Sequence, residues 1–229
     1  MNSSQSFYFI ILMLLASPVS AENLKSFQLP EFNLNSDMKV QWVARKMIYN
    51  SKPMSIQQFH SSLSAKEIIR FYNHHWQYKG NGLQKPVAQG EYQMLAYEHD
   101  GHVFSVQVKN VNGGSEGELV VTRNRSYQQG PIAFPLHHDA KVVTRIHSLD
   151  MGTKSETITV SHTHLSNVSE HWYRNALIRK GWSNQDNGSS ISGNQAMFQK
   201  GKQLCQLTFM DNSSMAGHQS MVMIHWIKG

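Results

Sequence analysis

His162-Thr163-His164, with His171 a short way beyond, is the spacing in this chain that most resembles a chemical site. On an extended segment His162 and His164 project to one face. A helical His171 then lies within reach, so three imidazoles can converge on zinc or copper. Ile158 and Val160 share that face of the strand, and the competing reading makes His162 a boundary histidine with a hydrogen-bonded ring and His164 part of a turn before a helix. His-x-His alone is a pattern of low specificity. The chain holds 13 histidines, including His74-His75 and His137-His138, so a pH response is a third use of the same residues.

Other chemistries find less support. Cys205 is the single cysteine, set between Leu204 and Leu207 in a strand-like run, the usual setting of a small buried hydrophobe and not of a reactive thiolate. No Gly-x-Ser-x-Gly elbow is present. Acidic residues are scattered, without the close carboxylate pair a glycosidase needs. The glycine-rich "NGGSEGE" at 112–118 lacks the Gly-Lys-Ser/Thr ending of a phosphate loop and suits a hairpin tip. The chain therefore reads as non-enzymatic, with no catalytic residue and no cofactor beyond zinc or copper at His162, His164 and His171. Twelve methionines include Met221 and Met223, which alternate with Val222 and Ile224. Two apolar faces on one strand predict that it is covered on both sides.

Any such site needs a scaffold and a compartment. An apolar run from Phe7 to Ala16, then Val19-Ser20-Ala21 before Glu22, reads as a secretory signal peptide over residues 1–21. The rest has no run long enough to span a bilayer. One cysteine cannot form an internal disulfide, so a bacterial periplasm suits this chain better than a eukaryotic secretory route. The net charge of +6 comes from dispersed lysines and arginines. That describes a solvated basic surface and not a nucleic-acid interface.

The chain also repeats itself. "FNLNSDMKV" at 32–40 and "FPLHHDAKV" at 134–142 share Phe, Leu, Asp, Lys and Val at a spacing of 102. "KEIIRFYNHHWQYKGN" at 66–81 and "NVSEHWYRNALIRKGW" at 167–182 share Tyr, Lys and Gly at a spacing of 101. A tandem duplication explains this, with modules over 32–125 and 134–229 joined by the loop-rich "RNRSYQQGPIAFP".

Each module reads as two strands, a helix and three strands: 39–48, 54–60, then 93–98, 102–110 and 118–123 in the first, and 141–147, 156–162, then 196–200, 203–210 and 220–226 in the second. Ser64 with Glu67 forms a capping box, and Ser166 is the matching cap without the acid. Ile68, Tyr72 and Trp76 in one helix, and Val168, Trp172, Tyr173, Ala176 and Leu177 in the other, form the stripes to be buried. Gly80 and Gly181 end the helices. The expected fold class is α+β: two tandem ββαβββ modules, each an antiparallel sheet covered by one helix, the sheets either joined edge to edge or packed as separate beads.

The order Phe71-Tyr72 or Trp172-Tyr173, a helical gap, Lys79-Gly80 or Lys180-Gly181-Trp182, then a hairpin, resembles small modules of exported bacterial proteins of uncharacterised function. That resemblance spans both halves, although Asn81 stands where the second has Trp182, and it implies a periplasmic α+β module and no activity. The functional expectation is a periplasmic adaptor or scaffold that contacts another envelope protein, for instance by strand addition. The alternative is a small-ligand or metal-binding module using an inter-module groove and the second-half histidines.

Overall fold

A computed structural model of the 229-residue chain describes residues 27–77, 85–150, 152–186, 194–211, 217 and 219–228. The leader expected over 1–21, and the helix end expected at Gly80, lie outside them. The first half runs β1 (Met38–Tyr49), β2 (Lys52–Ser61), α1 (Ala65–Gln77), β3 (Val87–Gln89), β4 (Tyr92–His99), β5 (His102–Val111) and β6 (Gly114–Arg123). The second runs β7 (Lys141–Asp150), β8 (Thr153–His162), α2 (Ser166–Arg179), β9 (Ser183–Asn184), β10 (Gln195–Lys200), β11 (Gln203–Asp211) and β12 (Ser220–Lys228).

All twelve strands belong to one antiparallel sheet, in the order β3-β4-β5-β6-β2-β1-β7-β8-β12-β11-β10-β9. This corrects the expected α+β class of two ββαβββ modules; of the two arrangements left open for the sheets, it is the edge-to-edge one that is present. The described residues form predominantly one sheet carrying two short helices, and β3 and β9 add a strand beyond each expected set of five. The physical cause is the edge of β1: Met47, Ile48 and Tyr49 pair with Ser148, His147 and Ile146 of β7, which removes two open edges at once.

Both helices lie on the same face. Phe59 and Pro53 share one side of β2; Pro53 is opposite Ile48, Ile48 opposite His147, and His147 opposite Glu156, which shares its side with Ile158. Helix α1 packs Ile68, Tyr72 and Trp76 against Phe59, Leu95, Val106 and Leu119. Helix α2 packs Tyr173 and Leu177 against Ile158, Val160, Leu207, Val222 and Ile224. Each fully buried aliphatic or aromatic side chain here contributes about 1.5–3 kcal/mol. Val168, expected on the inner stripe of α2, is exposed, and Ser169 takes the inward position.

Two extended straps cross the same face. Phe32 of the first, residues 27–37, joins the core under α1, and Ile132 and Leu136 of the second, residues 124–140, pack against the core under α2 that includes Phe134. Between them Phe27 and Ile48 are buried with Leu29, Tyr127 and Leu149 alongside. Beside this cluster Glu156, 1% exposed, accepts from Arg145 Nε at 2.7 Å and Lys228 Nζ at 2.5 Å. Arg145 also donates to the carbonyls of Gly130 and Pro131, tying the second strap to the sheet.

Helix ends follow local chemistry. In α1 the Ser64 and Glu67 side chains and amides bond reciprocally, as a capping box requires. In α2 the cap position is Leu165, without a side-chain bond; Ser166 instead donates its amide to Asp211 of β11 at 3.0 Å, as Ala65 does to Asn110 of β5 at 2.8 Å. The terminator is Gly181, at φ +79°, with Gly181 N–H bonded to Ile178 O and Trp182 N–H to Leu177 O, a Schellman pair. The other sheet face has no helix over it among the described residues. Met223 is exposed and Met221 half-buried there, so β12 is covered on one side and not on two.

Candidate metal centre

The helix-side end of β8 carries the site. His162 is the last residue of that strand, inward-facing and fully buried. His164 follows in the turn before α2, while His137 and Asp139 come from the second strap just before β7. One ligand atom from each of His137, Asp139, His162 and His164 lies within 4.8 Å of all the others.

Asp139 is the hub. Its Oδ1 meets His162 Nδ1 at 2.8 Å and also His137 Nδ1; its Oδ2 meets His164 Nδ1 at 3.1 Å and accepts from Thr163 N–H at 3.1 Å and Thr163 Oγ1 at 2.9 Å. Burial favours a neutral Asp139 carboxyl, but the bonds from His162, His137 and Thr163 outweigh it and hold the group far below the usual carboxylate range. Burial pushes His162 below its ordinary value, with the Asp139 bond and charge opposing.

The far ring nitrogens face hydroxyls. His162 Nε2 is 3.4 Å from Tyr173 OH, and His164 Nε2 is 3.0 Å from Ser169 Oγ, which lies 3.2 Å from Ser220 Oγ. One proton arrangement satisfies this frame as it stands, and a second does so only with a cation between the imidazoles and the carboxylate. With Nδ1–H tautomers the imidazoles donate to Asp139 and accept from the hydroxyls. With Nε2–H tautomers they donate to Tyr173 and Ser169, and the Nδ1 lone pairs turn on a common centre, the arrangement in which an outer partner orients a metal-bound histidine. Three imidazole nitrogens and one carboxylate oxygen suit Zn²⁺ or Cu²⁺. Calcium and magnesium prefer oxygen cages. A tetrahedral ion bound at about 2.0–2.2 Å holds its ligand atoms roughly 3.3–3.6 Å apart, so the Asp139–imidazole contacts open to admit it while the wider pairs close.

Ser169, His164 and Asp139 also stand in the order nucleophile, base, orienting acid. Ser169 is fully buried, however, so no substrate carbonyl reaches its hydroxyl. The arrangement is a hydrogen-bonded relay beneath the cluster.

Of the three histidines expected to form a site, His162 and His164 are brought together, with ring centroids 4.9 Å apart. His171 lies on the outward side of α2, exposed, its Nε2 2.9 Å from Asn175 Nδ2, and is not one of the four. Sequence reasoning missed His137 and Asp139. Their signal is "HHD" at 137–139, immediately before a strand and matched by "NSD" at 35–37, where shared Asp37 and Asp139 read as a mark of duplication. The first half has no matching imidazoles: Ser61 ends β2 as His162 ends β8, with its Oγ 3.2 Å from Leu63 N, and Asp37 N–H donates to Asn35 Oδ1 at 2.9 Å.

Comparison with family models, curated proteins and solved structures finds no match to the chain.

Proposed function

We propose that this is an exported, periplasmic metal-binding protein that takes one Zn²⁺ or Cu²⁺ ion per chain through His137, Asp139, His162 and His164. The convergence of three Nδ1 atoms on one carboxylate, with hydroxyls set against the Nε2 atoms of His162 and His164, carries this reading. Bound there, the ion clips the second strap to the end of β8 and the start of α2, the role of a four-ligand structural site. The adaptor reading has less behind it. Strand addition needs an open edge, which here is Leu95–His99 of β4, left unpaired by β3 among the described strands, and that edge by itself specifies no partner.

Calorimetric titration of the purified protein with Zn²⁺ and with Cu²⁺ tests the proposal. Expected are one site per chain, loss of at least about 100-fold in affinity for His137→Ala and Asp139→Asn, and no change for His171→Ala. Nitrogen hyperfine structure in the Cu²⁺ electron spin resonance spectrum reports the imidazoles directly. A folded protein that binds neither ion saturably, or a His137→Ala variant that binds like the parent, overturns it.

A further inference from the structure

A second, independent feature lies farther along the same strap. Ala133–Pro135, the end of α2 at Lys180, Trp182 and the strand ends at Lys200, Gln203 and Trp226 enclose a recess of about 300 Å³. Its walls are aromatic: Phe134 lies 5.7 Å from Trp226 and 6.5 Å from Trp182, and the two indoles are 6.4 Å apart. Trp226 is fixed by its N–H, which donates to Gln203 Oε1 at 3.0 Å. Lys200 Nζ donates one proton to Lys180 O at 2.6 Å, leaving two for another acceptor, and Lys180 is exposed at the rim. Among the described residues no carboxylate lines this recess.

The first half has a recess under its own strap, about 240 Å³, walled by Phe32, Trp76, Tyr97 and Phe104. Its titratable lining residues are Glu31, Tyr97 and His99, and among the described residues no lysine lines it. The two recesses share aromatic walls and differ in the sign of charge they attract. Both are at the small end of ligand sites, large enough for one ring.

We propose that the second recess binds a small carboxylate built on one six-membered ring with an apolar face, the ring lying against Trp226 and Phe134 and the carboxylate meeting the Lys180 and Lys200 ammonium groups. An aromatic acid and an acidic sugar share this chemistry, the first through ring stacking and the second through its apolar face.

The test follows the indole N–H signals of ¹⁵N-labelled full-length protein during titration with benzoate and, separately, with glucuronate. Expected are saturable shifts of the Trp182 and Trp226 signals with a Kd of about 1 mM or tighter for at least one acid, and a still Trp76 signal. Saturation by benzoate alone assigns an aromatic acid, and by glucuronate alone an acidic sugar. Lys180→Gln, which removes only a rim charge, should weaken binding about two- to fivefold. Benzyl alcohol and glucose should not saturate. The proposal fails if neither acid saturates, if the neutral analogues bind equally well, or if neither Lys180→Gln nor Lys200→Gln changes affinity.

Discussion

Glu156→Gln is the most exacting single perturbation of this molecule. The substitution keeps shape but withdraws the negative charge that Arg145 and Lys228 share at a 1%-exposed position. Arg145 keeps the carbonyls of Gly130 and Pro131 but loses its counter-charge. Breaking a buried pair by removing one partner costs about 3–5 kcal/mol, which for a chain of this size lowers Tm by about 6–20 °C. The pH dependence is a second check. Burial raises the Glu156 carboxyl, but the Lys228 and Arg145 bonds outweigh it and its pKa falls below the ordinary value of 4.5. A depressed carboxylate stabilises fully above about pH 4.5, and that contribution is lost as pH falls through the lower folded-state value. Thermal melts of parent and variant at pH 7 should show the full gap, and melts in steps down to about pH 3 should show it closing. Equal Tm at pH 7, or a gap that does not narrow in acid, refutes the assignment of Glu156 as the shared counter-charge.

Three further outcomes are expected. Gly114→Ala should destabilise by more than about 3 kcal/mol in denaturant titration, because φ is +149° and a Cβ would sit 2.0 Å from Ser61 O; Gly113→Ala, at φ +85° with open space around it, should cost about 1–2 kcal/mol. Asp211→Ala should lower Tm by removing the acceptor of the first α2 amide, and Asn110→Ala should do the same at α1, each read in a thermal melt against the parent. Burial pushes the Cys205 thiol up to about 12, so iodoacetamide at pH 8 should label it only after denaturant is added.

Much of the secondary structure is written locally and was legible. The Asp100-Gly101 turn follows from "EHDGH", with both residues at positive φ, and the 112–118 stretch turns at Asn112-Gly113, with Val111 opposite Gly114. Ser64 and Glu67 announce their own bonds. Joining of the two sheets was one of two arrangements the sequence allowed and could not choose between, because only Met47, Ile48 and Tyr49 of β1 make it and nothing distinguishes them from residues of a free edge. Nor were β3 and β9, too short and too exposed to show a period. At the site, His162 and His164 are legible because they are adjacent in sequence. His171 misleads because sequence distance along a helix carries no direction: Ser169 and Tyr173 turn inward and His171 turns away. Asp139 is brought in by the strap, whose path depends on where Ile132, Phe134 and Leu136 find cover.

The join between β1 and β7 has a mechanical consequence. Three residue pairs hold it, whereas β8 and β12 share nine and β5 and β6 share ten. Asn50 and Arg145 add two bonds beside it, from Asn50 N–H to Arg145 O and from Arg145 N–H to Asn50 Oδ1. Over it, among the described residues, lies only the small cluster of Phe27, Ile48, Leu29, Tyr127 and Leu149, whereas each flank has a larger apolar nucleus of its own. Tension or thermal agitation therefore concentrates on that narrow midline, which parts first, like the spine of a book whose two covers stay stiff.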